Sequence, residues 1–306
     1  MSSRIAVLIP CKNEEAAIAR VVGAFRAALP AAVVYVYDNN STDRTVEAAR
    51  GAGAVVRAEP MQGKGHVVRR MFGDIDADLY VLVDGDDTYD AAASPAMIAR
   101  LLDEHLDMVN GARDGQQQDA YRAGHRFGNA LLTGMVALLF GNRFNDLLSG
   151  YRVFSRRFVK CFPALSTGFE IETELTVHAL HLTMPVAEVK TAYRGRAPGS
   201  ASKLSSFRDG ARILVTIFNL LRGERPLLFF STAFAILALT SLALSFPLLE
   251  TYERTGLVPR FPTAILSTGI MLLGFLCLFA GLILDSVAKG RRELKRLRYL
   301  EIPAPS

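Results

Sequence analysis

Two hydrophobic rhythms alternate over the first 110 residues of the chain. Short apolar runs of strand length occupy 5–9, 33–37, 55–56 and 79–83, and another begins at Met108-Val109. They are rich in Val, Ile, Leu and Tyr, which suit a pleated, buried surface. Between them lie segments with helical spacing. The stretch 14–29 ends at Pro30, 42–50 has Ser41 or Thr42 placed to cap it, 65–75 follows a glycine-rich turn, and 94–106 carries Pro95 in its first turn. This order predicts an α/β domain whose mostly parallel sheet is covered by helices on both faces. Such sheets bind ligands at the carboxyl ends of their strands.

The rhythm changes after residue 225. Positions 227–249 and 263–284 contain no charged residue. Each is long enough to cross a hydrocarbon core of about 30 Å, which takes roughly 20 helical residues. A pair of buried core helices is the alternative. Arg222 and Arg225 precede the first stretch, and the basic run 289–298 follows the second. Both basic flanks are expected on the cytoplasmic side, making a hairpin with a short outer loop over 250–262. Gly269, Gly274 and Gly281 either let the second helix pack closely on the first or are ordinary membrane glycines. Apolar residues over 207–221, with Arg208, Arg212 and Arg222, predict an amphipathic helix at the interface, with a helix packed on the catalytic domain as the alternative. The predicted organisation is a catalytic domain over 1–204, a juxtamembrane helix over 205–225, a transmembrane hairpin over 226–288 and a basic cytoplasmic tail over 289–306.

Composition adds to this picture. The chain has 306 residues, 50% of them hydrophobic, and a mean hydropathy of +0.23 that the C-terminal third largely supplies. The net charge of +5 is concentrated in the run after the second apolar stretch. Beside such a stretch, that charge marks a membrane flank rather than a nucleic-acid site. Cys11, Cys161 and Cys277 lie far apart and form no CxxC, so neither a disulfide framework nor a zinc site is expected. His66, His125, His178 and His181 lack metal-like spacing and are read as structural. The first residues lack the apolar core of a signal peptide. A multi-pass protein of the cell (inner) membrane, with its catalytic domain facing the cytoplasm, is the expectation.

Three polar turns fall where the sheet rule places ligands: Pro10-Cys11-Lys12-Asn13-Glu14-Glu15, Asp38-Asn39-Asn40-Ser41-Thr42-Asp43 and Asp84-Gly85-Asp86-Asp87. Alone, each reads as a solvated loop. Together they predict one site. In Asp84-Gly85-Asp86 two carboxylates can face the same side, and Gly85 frees the backbone to bend. Hard cations such as Mg2+ or Mn2+ prefer these oxygens, with a diphosphate completing the shell. Lys64, within Gly63-Lys64-Gly65, supplies a cation for phosphate, although the spacing of a Walker A loop is absent. Gly51-Ala52-Gly53 follows a helix and is no dinucleotide fingerprint. Arg113 and Arg126 are candidate phosphate forks. Arg152 and Arg156 are read as surface or headgroup contacts. In 169–174 three acids alternate, and Glu172 either faces the site or is structural.

These turns, with Gly63-Lys64-Gly65 and Asp78-Leu79-Tyr80-Val81-Leu82-Val83-Asp84-Gly85-Asp86, resemble in order and spacing the family 2 glycosyltransferases over residues 4–204. Gly111-Ala112-Arg113, Arg126-Phe127-Gly128-Asn129, 146–152 and Ser202-Lys203-Leu204 resemble the dolichyl- or undecaprenyl-phosphate sugar synthases in particular. The resemblance implies a GT-A (Rossmann-like) fold. It further implies that Pro10, Asn13 and Glu14 line the nucleotide, that Asp38 reads base or ribose, and that Lys64 lies near the diphosphate with Gly85 beside it. Asp84 and Asp86 would bind the metal. Arg113, Arg126, Arg196 and Lys203 would hold the lipid phosphate. The implied activity is inverting transfer of a sugar from UDP-glucose or UDP-N-acetylglucosamine, or else GDP-mannose, to a polyprenyl phosphate at the bilayer. It also allows association into a homo-oligomer. Where relatives carry a further acid after the DxD, this chain reads Asp87-Thr88-Tyr89-Asp90, and Asp87 and Thr88 are the candidates to complete the shell. A processive polysaccharide synthase is a weaker reading, because there is no tryptophan for its acceptor motif. A non-catalytic membrane scaffold would have no need of the DxD.

Overall fold

The computed structural model describes residues 3–114, 144–168, 170–195 and 221–305, with positions 134, 215, 218 and 219. The chain divides into two compact units, Met1–Ile213 with Lys295–Ser306, and Leu214–Leu294.

The first unit is the predicted α/β domain. Its elements run β1 (Ile5–Cys11), α1 (Glu15–Ala28), β2 (Val33–Asp38), α2 (Thr45–Gly51), β3 (Val55–Ala58), α3 (Lys64–Asp74), β4 (Leu79–Leu82), α4 (Ser94–Asp103), β5 (Met108–Arg113), β6 (Arg152–Ser155), α5 (Arg156–Cys161), α6 (Ile171–His181) and β7 (Val186–Thr191). The seven strands are ordered β3-β2-β1-β4-β6-β5-β7. All neighbours are parallel except β6, which runs antiparallel to β4 and β5. The central strands β1 and β4 are buried on both faces, which is why they read as near-continuous apolar runs. Helix α1 buries Ala17, Ile18, Val21, Val22 and Phe25, one face at helical spacing.

The direction in which strands are added reverses at β1, since β2 and β3 lie on one side and β4 on the other. The loops after β1, β2 and β4 therefore open at neighbouring positions on one sheet edge, the crevice such folds use for ligands. One boundary differs from the sequence expectation. Helix α2 starts at Thr45, and neither Ser41 nor Thr42 caps it. The Asp43 carboxylate instead accepts from Thr45 N at 3.0 Å and closes a tighter turn.

Arg152 corrects a second expectation. It lies fully buried in β6, away from surface and headgroups. Its Nε donates to Ser149 O (3.1 Å), Nη2 to Leu147 O (2.7 Å) and Nη1 to Thr176 Oγ1 (2.8 Å). Burial lowers its pKa to about 10, with Glu172 and Asp146 opposing that shift. Arg156 is half-exposed and pairs with Asp76 at 3.0 Å.

The end of the chain is part of this unit too. Asp107 is fully buried and accepts from Arg157 Nη2 (2.9 Å), Ser155 Oγ (2.7 Å) and Tyr299 OH (2.8 Å). The basic stretch was expected to be a tail at the membrane; its residues from Lys295 onward pack with the α/β domain.

The second unit holds two helices long and apolar enough to cross a membrane, within α7 (Pro226–Thr255) and α8 (Phe261–Leu300). Only 6% and 11% of their most apolar windows are buried, so they are not core helices of a globular fold. Gly256 ends α7 in the left-handed conformation (φ 68°), a common helix stop. A Cβ on Gly281 would lie 2.8 Å from Phe230 Cβ, and one on Gly274 would lie 3.3 Å from the Phe234 ring. These two glycines are therefore packing sites, whereas Gly269 faces open space. Ser241 Oγ donates to Ser267 O at 2.7 Å across the pair. Most of the expected juxtamembrane helix, 205–225, lies outside the described residues.

Arg152→Ala would take the guanidinium donors from Leu147 O and Ser149 O in the core. It is expected to cost about 2–4 kcal/mol of stability, read as a drop of several degrees in the melting temperature of the detergent-solubilised protein. An unchanged melting temperature would refute the structural role.

Candidate active site

The loop after β1 is held by the loop after β2. Asn13 adopts a left-handed conformation (φ 50°), which Asn tolerates better than most residues. Its side chain accepts from Thr42 N at 2.8 Å, and its own N donates to Ser41 Oγ at 2.9 Å. Glu14 N donates to Thr45 Oγ1 at 2.9 Å. A further side chain, Asn39, ties in the loop after β3. Its Nδ2 donates to Glu59 O and Met61 O, both at 2.9 Å, and its Oδ1 accepts from Gly63 N at 2.8 Å.

Asn39 thereby positions Gly63-Lys64-Gly65 at the start of α3. Gly63 has φ 136°, and a Cβ there would meet Thr167 O at 2.2 Å. A Cβ on Gly65 would meet Ser166 O at 2.0 Å. Both glycines are required because the backbone of 166–167 lies directly against the first turn of α3. That approach leads into α6, which carries Glu172.

Lys64 Nζ donates to Asp84 Oδ1 and to Glu172 Oε1, each at 2.5 Å. Its side chain is only 9% exposed and that of Glu172 7%. Burial works against the ammonium charge, but Asp84 and Glu172 outweigh it, and the pKa of Lys64 is raised. Lys64 is a buried cation held between two carboxylates in this site.

Asp84 and Asp86 follow β4. Gly85 between them packs against β1: a Cβ would come within 3.2 Å of Cys11 Cβ and 3.3 Å of Ile9 Cγ2. Gly85 lies in the turn after β4; Asp87, two residues on, adopts the left-handed conformation (φ 60°), and its carboxylate pairs with Arg20 at 2.8 Å. Thr88 Oγ1 donates to Asp86 Oδ1 at 2.6 Å. Thr88 thus braces Asp86 and Asp87 is engaged elsewhere. Gly150 leaves room for Asp84, since a Cβ there would lie 2.3 Å from Asp84 Oδ2. Gly150 N in turn donates to Tyr89 OH at 2.8 Å.

Pro10, Asn13, Glu14, Lys64, Asp84, Gly85 and Asp86 all line one cleft of about 460 Å3, with Cys11, Lys12, Asn39, Gln62, Gly63 and Val67. The structure therefore brings together nearly all the residues expected on the donor side. Asp38 is not in that lining; its carboxylate accepts from Ser41 N at 3.2 Å and shapes its own turn. Arg113 is not in it either. Its Nε and Nη2 donate to Asp146 at 2.6 and 2.7 Å, and its guanidinium lies 5.5 Å from the Tyr193 ring centroid. Burial opposes its charge and Asp146 more than restores it. Arg126, Arg196 and Lys203 lie outside the described residues.

Asn39, Gly150, Asp146 and Glu188 are contributors that the sequence reading gave no separate role. Glu188 accepts from Asn145 N (3.0 Å) and from Asn110 Nδ2 (3.1 Å), pinning the segment that presents Asp146. Their signal was weak: polar residues near strand ends, in motifs already noted, whose partners lie from 20 to 80 positions away. Among the described residues no cluster of three His, Cys, Asp or Glu side chains is placed to hold a metal. The two oxygen-rich side chains Asp84 and Asp86 nevertheless fit Mg2+ or Mn2+, ions often held by one or two carboxylates with substrate phosphates supplying the rest.

The comparisons with known proteins agree with this geometry. Residues 6–162 match the profile of glycosyl transferase family 2. The glycosyltransferase AglJ of Haloferax volcanii is 32% identical over 301 residues, which span 97% of this chain and 98% of that protein. A dolichyl-phosphate hexose transferase of the same organism is 29% identical over 222 residues, 72% of this chain and 95% of its own. Among solved structures, glucosyl-3-phosphoglycerate synthase of Mycobacterium tuberculosis, in complex with Mn2+, UDP and glucosyl-3-phosphoglycerate, superposes with a TM-score of 0.56. It shares 24% identity over 72% of this chain and 79% of that one, a likeness that speaks for the fold. The same synthase has also been solved with Mg2+ and UDP. The expected GT-A fold is thus the fold observed, and the chain belongs to glycosyl transferase family 2.

Proposed function

We propose that this protein is an inverting hexosyltransferase that moves a sugar from a nucleoside-diphosphate donor to a polyprenyl phosphate at the cytoplasmic face of the cell membrane. The observation that carries this reading is the convergence of Asp84, Asp86 and Lys64 in one cleft with the loops after β1 and β2. Two carboxylates and an ammonium are what a diphosphate leaving group and its counter-ion require. The polyprenyl acceptor draws support from the dolichyl-phosphate hexose transferase relative and from the two long apolar helices. A uridine donor draws support from the UDP complexes of the structural neighbour.

In this reading Pro10, Asn13 and Glu14 form the nucleotide wall, and Asp38 shapes the turn beside it. Asp84 and Asp86 would hold Mg2+ or Mn2+, which when bound offsets charge on the departing diphosphate. Lys64 binds a phosphate oxygen. Arg113, its planar fork aligned by Asp146, belongs to the acceptor phosphate with Arg126, Arg196 and Lys203. The acceptor oxygen is already anionic, so the chain has no need to remove a proton from it. Its task is to orient that oxygen opposite the leaving group and exclude competing water. In-line attack from that side inverts the anomeric centre.

Transfer from UDP-glucose, UDP-N-acetylglucosamine and GDP-mannose to polyprenyl phosphate, with and without Mn2+, tests this directly. Asp84→Asn or Asp86→Asn is expected to lower kcat/KM by about 100-fold or more, and undiminished activity in either would sink the assignment.

Gly150→Ala forces a methyl group onto the Asp84 carboxylate. It is expected to lower activity by about tenfold or more, as a roughly 1 Å misplacement of reacting groups can cost 100-fold, while the melting temperature stays near wild type. Full activity would mean that Asp84 works from another position.

A further inference from the structure

We propose that, before nucleotide binds, Lys64 occupies the cation's place on Asp84, anchored by Glu172, so that the divalent ion is admitted together with the nucleotide and not ahead of it. This rests on the assignment of Asp84 and Asp86 as the metal-binding pair.

Three observations carry it. First, one oxygen of each carboxylate is already engaged: Asp84 Oδ1 by Lys64 Nζ, and Asp86 Oδ1 by Thr88 Oγ1. An ion arriving alone must displace a buried ammonium or sit against a like charge, and both are unfavourable. Second, Lys64 has somewhere to go. Glu172 Oε1 already accepts from it at 2.5 Å, while Glu172 Oε2 is buried without a hydrogen-bond partner. The ammonium can give up Asp84 and keep a buried counter-charge. Third, only the flexible side chain need move. Gly63 and Gly65 hold the backbone of α3 against 166–167, whereas the lysine side chain has a flexible four-carbon stem and carries three donors.

A diphosphate supplies what releases the block. Its oxygens accept from Lys64 in place of Asp84, and the freed carboxylate joins the same phosphates in holding the ion. Glu172 is then a positioning residue that acts through Lys64. Because each ligand favours the arrangement that the other needs, metal and nucleotide bind with positive coupling.

The test is Mn2+ binding to the full chain in detergent micelles, followed by electron paramagnetic resonance without turnover, with Mn2+ alone and with UDP or GDP added. Wild type is expected to bind Mn2+ weakly alone and tightly with nucleotide. Lys64→Met is expected to bind Mn2+ alone on the order of tenfold more tightly than wild type, because the competing buried ion pair is gone, and to lose the gain from nucleotide. Glu172→Gln leaves Lys64 with Asp84 as its sole carboxylate and is expected to weaken binding of Mn2+ alone; Glu172→Asp restores the wild-type pattern. The proposal is overturned if Lys64→Met binds Mn2+ alone no more tightly than wild type while Asp84→Asn abolishes binding. Should Lys64→Met not fold, Glu172→Gln decides, and unaltered binding of Mn2+ alone in it overturns the proposal. If Asp84→Asn binds Mn2+ as well as wild type does, the metal assignment itself fails.

Discussion

A lysine ammonium shut between two carboxylates organises the active end of the α/β domain. Leaving water costs each of these ions several kcal/mol, and only close, well-directed contacts repay it. The Lys64 contacts to Asp84 and Glu172 meet that condition. They draw three distant parts of the chain to one point: the start of α3, the end of β4 and the first turn of α6. Truncating Lys64 would leave the buried Glu172 carboxylate uncompensated, so the ammonium ties the three segments together.

The surrounding backbone is shaped to permit this contact. Gly63 and Gly65 let the backbone of 166–167 touch α3, which brings α6 and Glu172 within reach of Lys64. Gly150 makes room for Asp84 from the other side, and Tyr89 secures Gly150 through its backbone N. Asn39 holds the loop that carries Gly63. Side chains of opposite chemistry thus meet because small residues let their backbones approach. Their catalytic use follows from the same placement, since preorganised charges need little rearrangement when a leaving group develops charge.

Arg113 and Arg152 show how one residue type serves two ends. Arg152 is sunk in β6, where carbonyl and hydroxyl oxygens satisfy it and it joins Leu147, Ser149 and Thr176. Arg113, at the end of β5, keeps its guanidinium planar against Asp146 and close to the Tyr193 ring. Asp146 is in turn presented by a segment that Glu188 pins. The first arginine holds the sheet together; the second is held by it.

Much of this was legible in the residues alone. The apolar runs marked β1, β2 and β4, because strands buried on both faces cannot hide their composition. The DxD, the loop after β1 and Lys64 were recognisable because sheet topology sends strand ends to one edge. The two long apolar helices were equally plain. What sequence left undecided depends on contacts between distant positions. Glu172 faces Lys64 only because α6 packs where 166–167 allows, and alternating acids in 169–174 do not say which one turns inward. Arg152 looked like a surface cation, since burial of a charge is set by partners that its neighbours in sequence do not name. Gly85 also packs against Cys11 and Ile9 of β1, a second reason for glycine there that its neighbours in sequence do not show. Local chemistry thus determined the elements and the kind of site; tertiary packing decided which charges meet, because desolvation and close approach are properties of neighbours in space.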